Sequence, residues 1–207
     1  MQSSLLLPLI AFAVASSITP GPNNLMLLAS GVNFGFRRSI PHMLGIGLGF
    51  MIMLVVIGLG VGQALDAYPL IYDVLRIASL LYMFWLAWKI ANSGPVGNGN
   101  ERTTARPMTF LQAVLFQWVN PKAWAMAIAA TATYTESTRY FSSLLWVTLI
   151  FGLINLPCVS VWAGFGVGLR HWLQDPTRLK IFNVTMALLL LASFLPLVAD
   201  LLGKGPS

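Results

Sequence analysis

Apolar residues run through this chain in long stretches separated by short polar ones. Six stretches are long enough to cross a bilayer, which takes about 20 residues of helix. They are Leu5–Ala29, Ser39–Ala64, Pro69–Ala91, Thr109–Thr133, Phe141–Leu169 and Leu179–Leu201. The pattern predicts an all-α integral membrane protein of six transmembrane helices. Two of the stretches are interrupted. The first contains Thr19-Pro20-Gly21-Pro22-Asn23-Asn24, and the fourth contains Asn120-Pro121-Lys122. Each proline removes a backbone donor and clashes with the turn before it, so helices 1 and 4 are expected to be broken. In lipid, a broken backbone is tolerated only where it faces protein or a watery cavity. Paired breaks at matching places in two halves of a chain are the best sequence pointer to a transporter's binding site.

Composition narrows the class. Of 207 residues, 57% are hydrophobic and only 9% charged, which excludes disorder and leaves no room for a separate soluble domain. Cys158 is the single cysteine, so neither a disulfide framework nor a cysteine metal site is expected. His42 and His171 are far apart and are read as interfacial. No metal and no cofactor is predicted. The net charge of +6 is a topology signal rather than a nucleic-acid one. With six spans, one face carries Arg37, Arg38, Lys89, Arg102, Arg106, Arg170, Arg178 and Lys180, and the other Arg76, Arg139 and Lys204; Lys122 sits at mid-depth. The positive-inside rule then places both termini outside and the long linker in the cytoplasm. No Lys or Arg precedes Arg37, so the basic start of a cleaved leader is missing and the first span is read as uncleaved.

The polar stretch 92–108 separates two three-helix halves, 1–91 and 109–207. Landmarks recur across it in order: Pro20 with Pro121, the glycine run Gly58–Gly62 with Gly164–Gly168, and Leu75-Arg76-Ile77 with Leu179-Lys180-Ile181. The offsets are 101, 106 and 104 residues. Three landmarks in register indicate an internal repeat. Three spans per half make the repeat inverted, with a pseudo-two-fold axis in the membrane plane. These glycines, and Gly45 with Gly49, have small-xxx-small spacing, which lets helices approach closely. Packing within one bundle is the favoured reading; the seam of a homodimer is the other.

The breaks carry the chemistry. Gly21 is read as an N-cap with Pro22 as first helical residue, leaving the N–H groups of Asn23, Asn24 and Leu25 free. Asn120 is a strong N-cap before Pro121, leaving those of Lys122, Ala123 and Trp124. The prolines are expected to free the carbonyls of Ser16, Ile18 and Gln117. Two helix N-termini and Lys122 would attract an anion, and the freed carbonyls an ammonium group. A zwitterion fits. Lysine at mid-depth costs about 2.5–3.5 kcal/mol on insertion scales, and such residues mark functional sites by default. The alternative is a structural lysine satisfied by backbone carbonyls of the first break. The six acidic residues (Asp66, Asp73, Glu101, Glu136, Asp175, Asp200) fall near span ends or in loops, so Lys122 is the candidate proton carrier. Asn155 and Trp124 are candidate pathway residues; Asn155 and Pro157 otherwise only kink their helix. Asn183 is read as a helix–helix hydrogen bond.

The first-span motif, followed by Gly35-Phe36-Arg37-Arg38, resembles the lysine exporter (LysE/RhtB) family of amino-acid efflux proteins, and Asn120-Pro121-Lys122 matches that family's second motif. The residues Trp85-Leu86-Ala87-Trp88-Lys89-Ile90-Ala91 are similar to the branch exporting cysteine and O-acetylserine. The resemblance implies proton-driven export of amino acids across the bacterial inner membrane. It carries over Pro20, Gly21, Pro22, Asn23, Asn24, Asn120, Pro121 and Lys122 as motif residues; Thr19 and Gln117 are added as substrate-binding from their place at the breaks. With no mid-depth acid to pair a cationic side chain, neutral substrates such as cysteine, O-acetylserine, homoserine or threonine are expected. The alternatives are efflux of an inorganic ion or metal, whose usual carboxylate, histidine and thiol ligands are scarce here, and an intramembrane enzyme, for which the spans are expected to offer no buried histidine and no paired carboxylates.

Overall fold

The computed structural model describes residues 3–61, 69–93, 106–195 and 198–199; over these the chain is helical and no strand occurs. Several expectations lie outside the described residues. They are most of the linker (94–105), Gly62, Asp66, Glu101, Arg102, Asp200, the end of the sixth span, Lys204, and the side chains of Asp73, Leu75 and Arg76.

The first span is two helices. α1 (Ser3–Ile18) stops short of Pro20, α2 (Pro22–Phe34) begins on Pro22, and the pair is bent by 53°. Gly21 is the extended N-cap and proline takes the first helical position, where its missing N–H costs nothing. α2 runs five residues beyond the Ala29 expected from hydropathy and ends at Gly35. α3 (Phe36–Val56) widens into a turn at Ile57–Val61, and α4 (Pro69–Ala91) follows. The second break separates α5 (Phe110–Phe116) and a tight turn (Gln117–Val119) from α6 (Pro121–Tyr134). α7 (Tyr140–Leu169) stays helical through Pro157. α8 (Pro176–Ala192) starts three residues before the expected Leu179, because the Asp175 carboxylate accepts the Arg178 N–H at 2.9 Å and caps it.

Phe36–Gly60 and Ser137–Leu169 are each long and apolar enough to cross a membrane, and α1 with α2 qualifies as one broken span; Ile77–Ala91 and Phe110–Val119 are shorter apolar helices. α3 shows why water is the wrong solvent. Its packed side buries Ile46, Phe50, Met53 and Leu54, while its outer side exposes Ile40, Leu44, Leu48, Ile52 and Val55. A helix apolar on all sides belongs in lipid.

α7 packs on α1, α2 and α3; α3 packs on α5, and α4 on α8. Where α2 meets α7 the backbones touch. A side chain on Gly31 would strike the Ala163 carbonyl, and one on Gly166 the Leu28 carbonyl. Gly45 and Gly49 face α5 within the chain, so the helix they admit is their own molecule's. Besides a small cluster of Val32, Leu173 and Leu179, two large apolar clusters form the core. One joins α1, α3, α6 and α7 (Leu9, Phe50, Ala127, Phe151); the other holds α2, α4, α5 and α8 with parts of α3 and α7 (Leu27, Met83, Phe116, Leu190). The chain crosses between them at each break, in opposite order: out of the smaller cluster at the first and back into it at the second. The glycine landmarks differ in form. Ile57–Val61 is a distorted turn with Gly60 at φ 97, whereas Gly164–Gly168 is regular helix inside α7.

Candidate binding site at the paired helix breaks

The two breaks meet. Lys122 Nζ donates to the Thr19 carbonyl at 2.6 Å, the Thr19 hydroxyl at 2.9 Å and the Pro20 carbonyl at 3.3 Å. Reciprocally, the Asn23 amide donates to Gln117 Oε1 at 2.9 Å and the Gln117 amide to Asn23 Oδ1 at 3.3 Å. A Cβ at position 21 would lie 2.6 Å from Lys122 Cδ, so a larger residue there would have to displace the lysine stem. The ammonium expected to await a substrate therefore rests on carbonyls of the first break, as in the structural reading of that lysine.

Asn24 is buried and braces the turn from within, donating to the carbonyls of Ser17 at 2.9 Å and Thr19 at 2.7 Å. Asn120 caps α6 as expected, its Oδ1 accepting the Lys122 N–H at 3.1 Å. The carbonyls expected to be free are not. Ser16 O accepts from the Thr19 hydroxyl, Ile18 O from the Trp162 indole and Gln117 O from the Asn120 N–H. Ser16 O and Gln117 O are reached by donors three residues on within the same break, and Ile18 O by an indole from α7 packed against it. Of the six N–H groups expected to be free, three are also taken: Leu25 bonds Gly21 O, Trp124 bonds Asn120 O, and Lys122 bonds its own cap. The other three belong to Asn23, Asn24 and Ala123, and all three residues line a cavity between the breaks.

That cavity encloses about 330 Å³ of atom-free space, part of it open. Ser16, Ser17, Gly21, Asn120, Lys122 and Asn155 also line it, with Phe50, Met126 and Val159 as its apolar wall. Asn155 belongs here, as one of its two expected roles required. Its amide N–H donates to Ser17 Oγ at 3.2 Å, while its buried Oδ1 has no partner. A buried polar atom left alone marks a place for a donor. The stem of half-buried Lys122 lines the cavity and its head closes onto Thr19 and Pro20, which are exposed. Thr19 and Pro20 thus act through backbone and hydroxyl oxygens on Lys122, while Pro22 and Pro121 start their helices. Trp124 turns elsewhere: its indole donates to Trp118 O at 2.9 Å and packs edge-on to the Trp118 ring, off the cavity.

Sequence reasoning took Ser16 for its carbonyl alone and missed its hydroxyl and Ser17, although two hydroxyls directly ahead of a break in an apolar run are a readable signal. It missed Asn33 as well, whose amide exchanges hydrogen bonds with Asn183 at 2.9 and 3.3 Å. Asn183 is the helix–helix contact expected, and it also donates to Ser93 O. His42, expected at the interface, is 1% exposed. Residue type argued for a polar surface, but its face of α3 turns inward.

The chain matches the family described as LysE type translocator over residues 14–198. The cysteine/O-acetylserine efflux protein of Escherichia coli strain K12 is 31% identical over 194 residues, covering 92% of this chain and 95% of that protein. A protein of the same description from Shigella flexneri serotype 5b is 32% identical over 183 residues, covering 86% and 90%. No solved structure matches.

Proposed function

The chain belongs to the LysE type translocator family, and we propose that it exports small neutral amino acids or their derivatives across the bacterial inner membrane. Cysteine, O-acetylserine, homoserine and threonine are the type. In this reading the chain crosses the bilayer six times as two inverted three-helix repeats, both termini outside, and works by proton-driven alternating access. The single observation that carries it is the meeting of the two breaks at one cavity, with a cation and an unpartnered amide oxygen in its wall.

Packing supports the inversion. α3 packs on α7 and α4 on α8, each on its counterpart, while α3 on α5 is answered by α7 on α1. The opposite order in which the two breaks cross between core clusters is what inversion requires. In the cavity a substrate carboxylate meets Lys122 and the first-turn N–H groups at Asn23, Asn24 and Ala123, where helix N-termini favour negative charge. The substrate ammonium meets Asn155 Oδ1 and the serine hydroxyls. None of the described lining residues is acidic, so a cationic side chain would find no counter-charge among them. Substrate binding draws Lys122 off the Thr19 and Pro20 carbonyls, which opens the cavity on that side. The names of the relatives favour cysteine and O-acetylserine within the class.

Counterflow in proteoliposomes with a panel of labelled amino acids tests this. Exchange is expected for cysteine, O-acetylserine and their neutral neighbours, and not for lysine or arginine. Equal exchange across neutral and cationic members would overturn it.

A further inference from the structure

A second cavity lies farther along α2. Seven residues of helix separate Asn23, at the central cavity, from Ser30, at this one, or about 10 Å of rise. It holds about 500 Å³ of atom-free space, partly open, between α2, α3, α4 and the segment ahead of α5. Its deep wall contains His42, which is 1% exposed and has no hydrogen-bond partner on either ring nitrogen. The neighbouring polar groups are engaged elsewhere. Ser30 pairs with Ser39 at 2.7 Å, Asn33 with Asn183, and Gln112 accepts from the Thr109 N–H at 3.0 Å. Among the described lining residues His42 is therefore the fully buried side chain left uncommitted, and an imidazole always has a nitrogen able to donate.

Two cations also line the space: Lys89, half-buried, and Arg106, exposed. Among the described residues no acidic one lines it, and Tyr82 is the other titratable group there. The rest of the wall is largely apolar, with Met26, Leu86 and Trp85. Two positive charges near the opening, a lone donor at the back and apolar walls between them describe a site for an organic anion. An inorganic anion would leave the apolar walls unused, and an anion as large as a lipid would leave His42 out of reach behind them.

We infer that this cavity is a second binding site, for small organic carboxylates, in which His42 donates to the carboxylate from the buried wall while Lys89 and Arg106 neutralise its charge. The site needs no ammonium group on the ligand and does not depend on Lys122.

The chain has two histidines, so a His171→Gln variant carrying isotope-labelled histidine shows a single imidazole by NMR. The full-length protein in nanodiscs of zwitterionic lipid is titrated with propionate. A saturable shift of the His42 nitrogens is expected, weakened about tenfold in a Lys89→Gln/Arg106→Gln variant, the size of one lost charge-assisted contact. The shift is expected to survive Lys122→Met, which separates this site from the central one. It is also expected to survive a failure of the counterflow experiment, which bears only on transport. An imidazole that propionate leaves unmoved would overturn the inference. So would an equal response to propionamide, a response lost with Lys122→Met, or one seen only with anionic lipid.

Discussion

At the scale of single residues, the balance rests on Lys122. Lysine at mid-depth is tolerable only if its head is satisfied, and three oxygens of the first break satisfy it. Replacement by methionine keeps the stem and removes the charge. Gradient-driven export of O-acetylserine is expected to fall by more than about tenfold, with the melting temperature in detergent little changed; full export would reject a role for the charge. Gly21 gives a second handle. Gly21→Ala pushes a methyl against the lysine stem. Its cost to transport should be large in the native chain and small in a Lys122→Ala background. A double-mutant cycle reads that coupling, and additive effects would place the clash elsewhere. Lys122 was legible in the sequence because a charge in an apolar run is conspicuous. Its partners were not. The carbonyls vacated by proline looked free on paper, but Thr19 supplies a donor from within the turn and Trp162 one from α7, which only packing brings near.

At the scale of elements, hydropathy showed where the helices are but not where they begin. Asp175-Pro176 starts α8 ahead of its apolar run, since capping is local chemistry that a hydropathy average passes over. Buried faces were illegible for a related reason. His42 and Asn33 are polar by type, and only packing decides which side of a helix is inside. The Asn33–Asn183 pair joins α2 to α8. Asn33→Leu leaves the Asn183 amide half-satisfied and should cost about 1 kcal/mol. The double variant Asn33→Leu/Asn183→Leu should recover part of that loss, though the Ser93 carbonyl then also loses its donor. Thermal unfolding in detergent measures both; a double variant no better than the worse single would show that the pair is not the unit that matters.

At the scale of the whole molecule, two breaks at matching places announced a shared site, and the structure brings them within hydrogen-bonding distance across about a hundred residues of chain. The division between halves that the linker's composition suggests falls at residues 94–105, outside the described ones. Where the halves differ in form, at Gly58–Val61 against Gly164–Gly168, glycine content misled, since the same residues permit both a distorted turn and an unbroken helix. The proposed orientation rests on the distribution of basic residues. In a Cys158→Ser background, Arg38→Cys should react with a membrane-impermeant thiol reagent in inside-out vesicles and not in intact cells. Labelling from outside would invert the assignment.

The contact of Gly31 with Gly166 has a mechanical meaning. These residues lie in opposite halves, and no compressible side chain separates their backbones. Neither helix can glide along the other without one main chain climbing over its neighbour. What the joint does allow is tilting, so in the proposed alternating access it would act as a fulcrum, with the leverage on either side set by distance from that point.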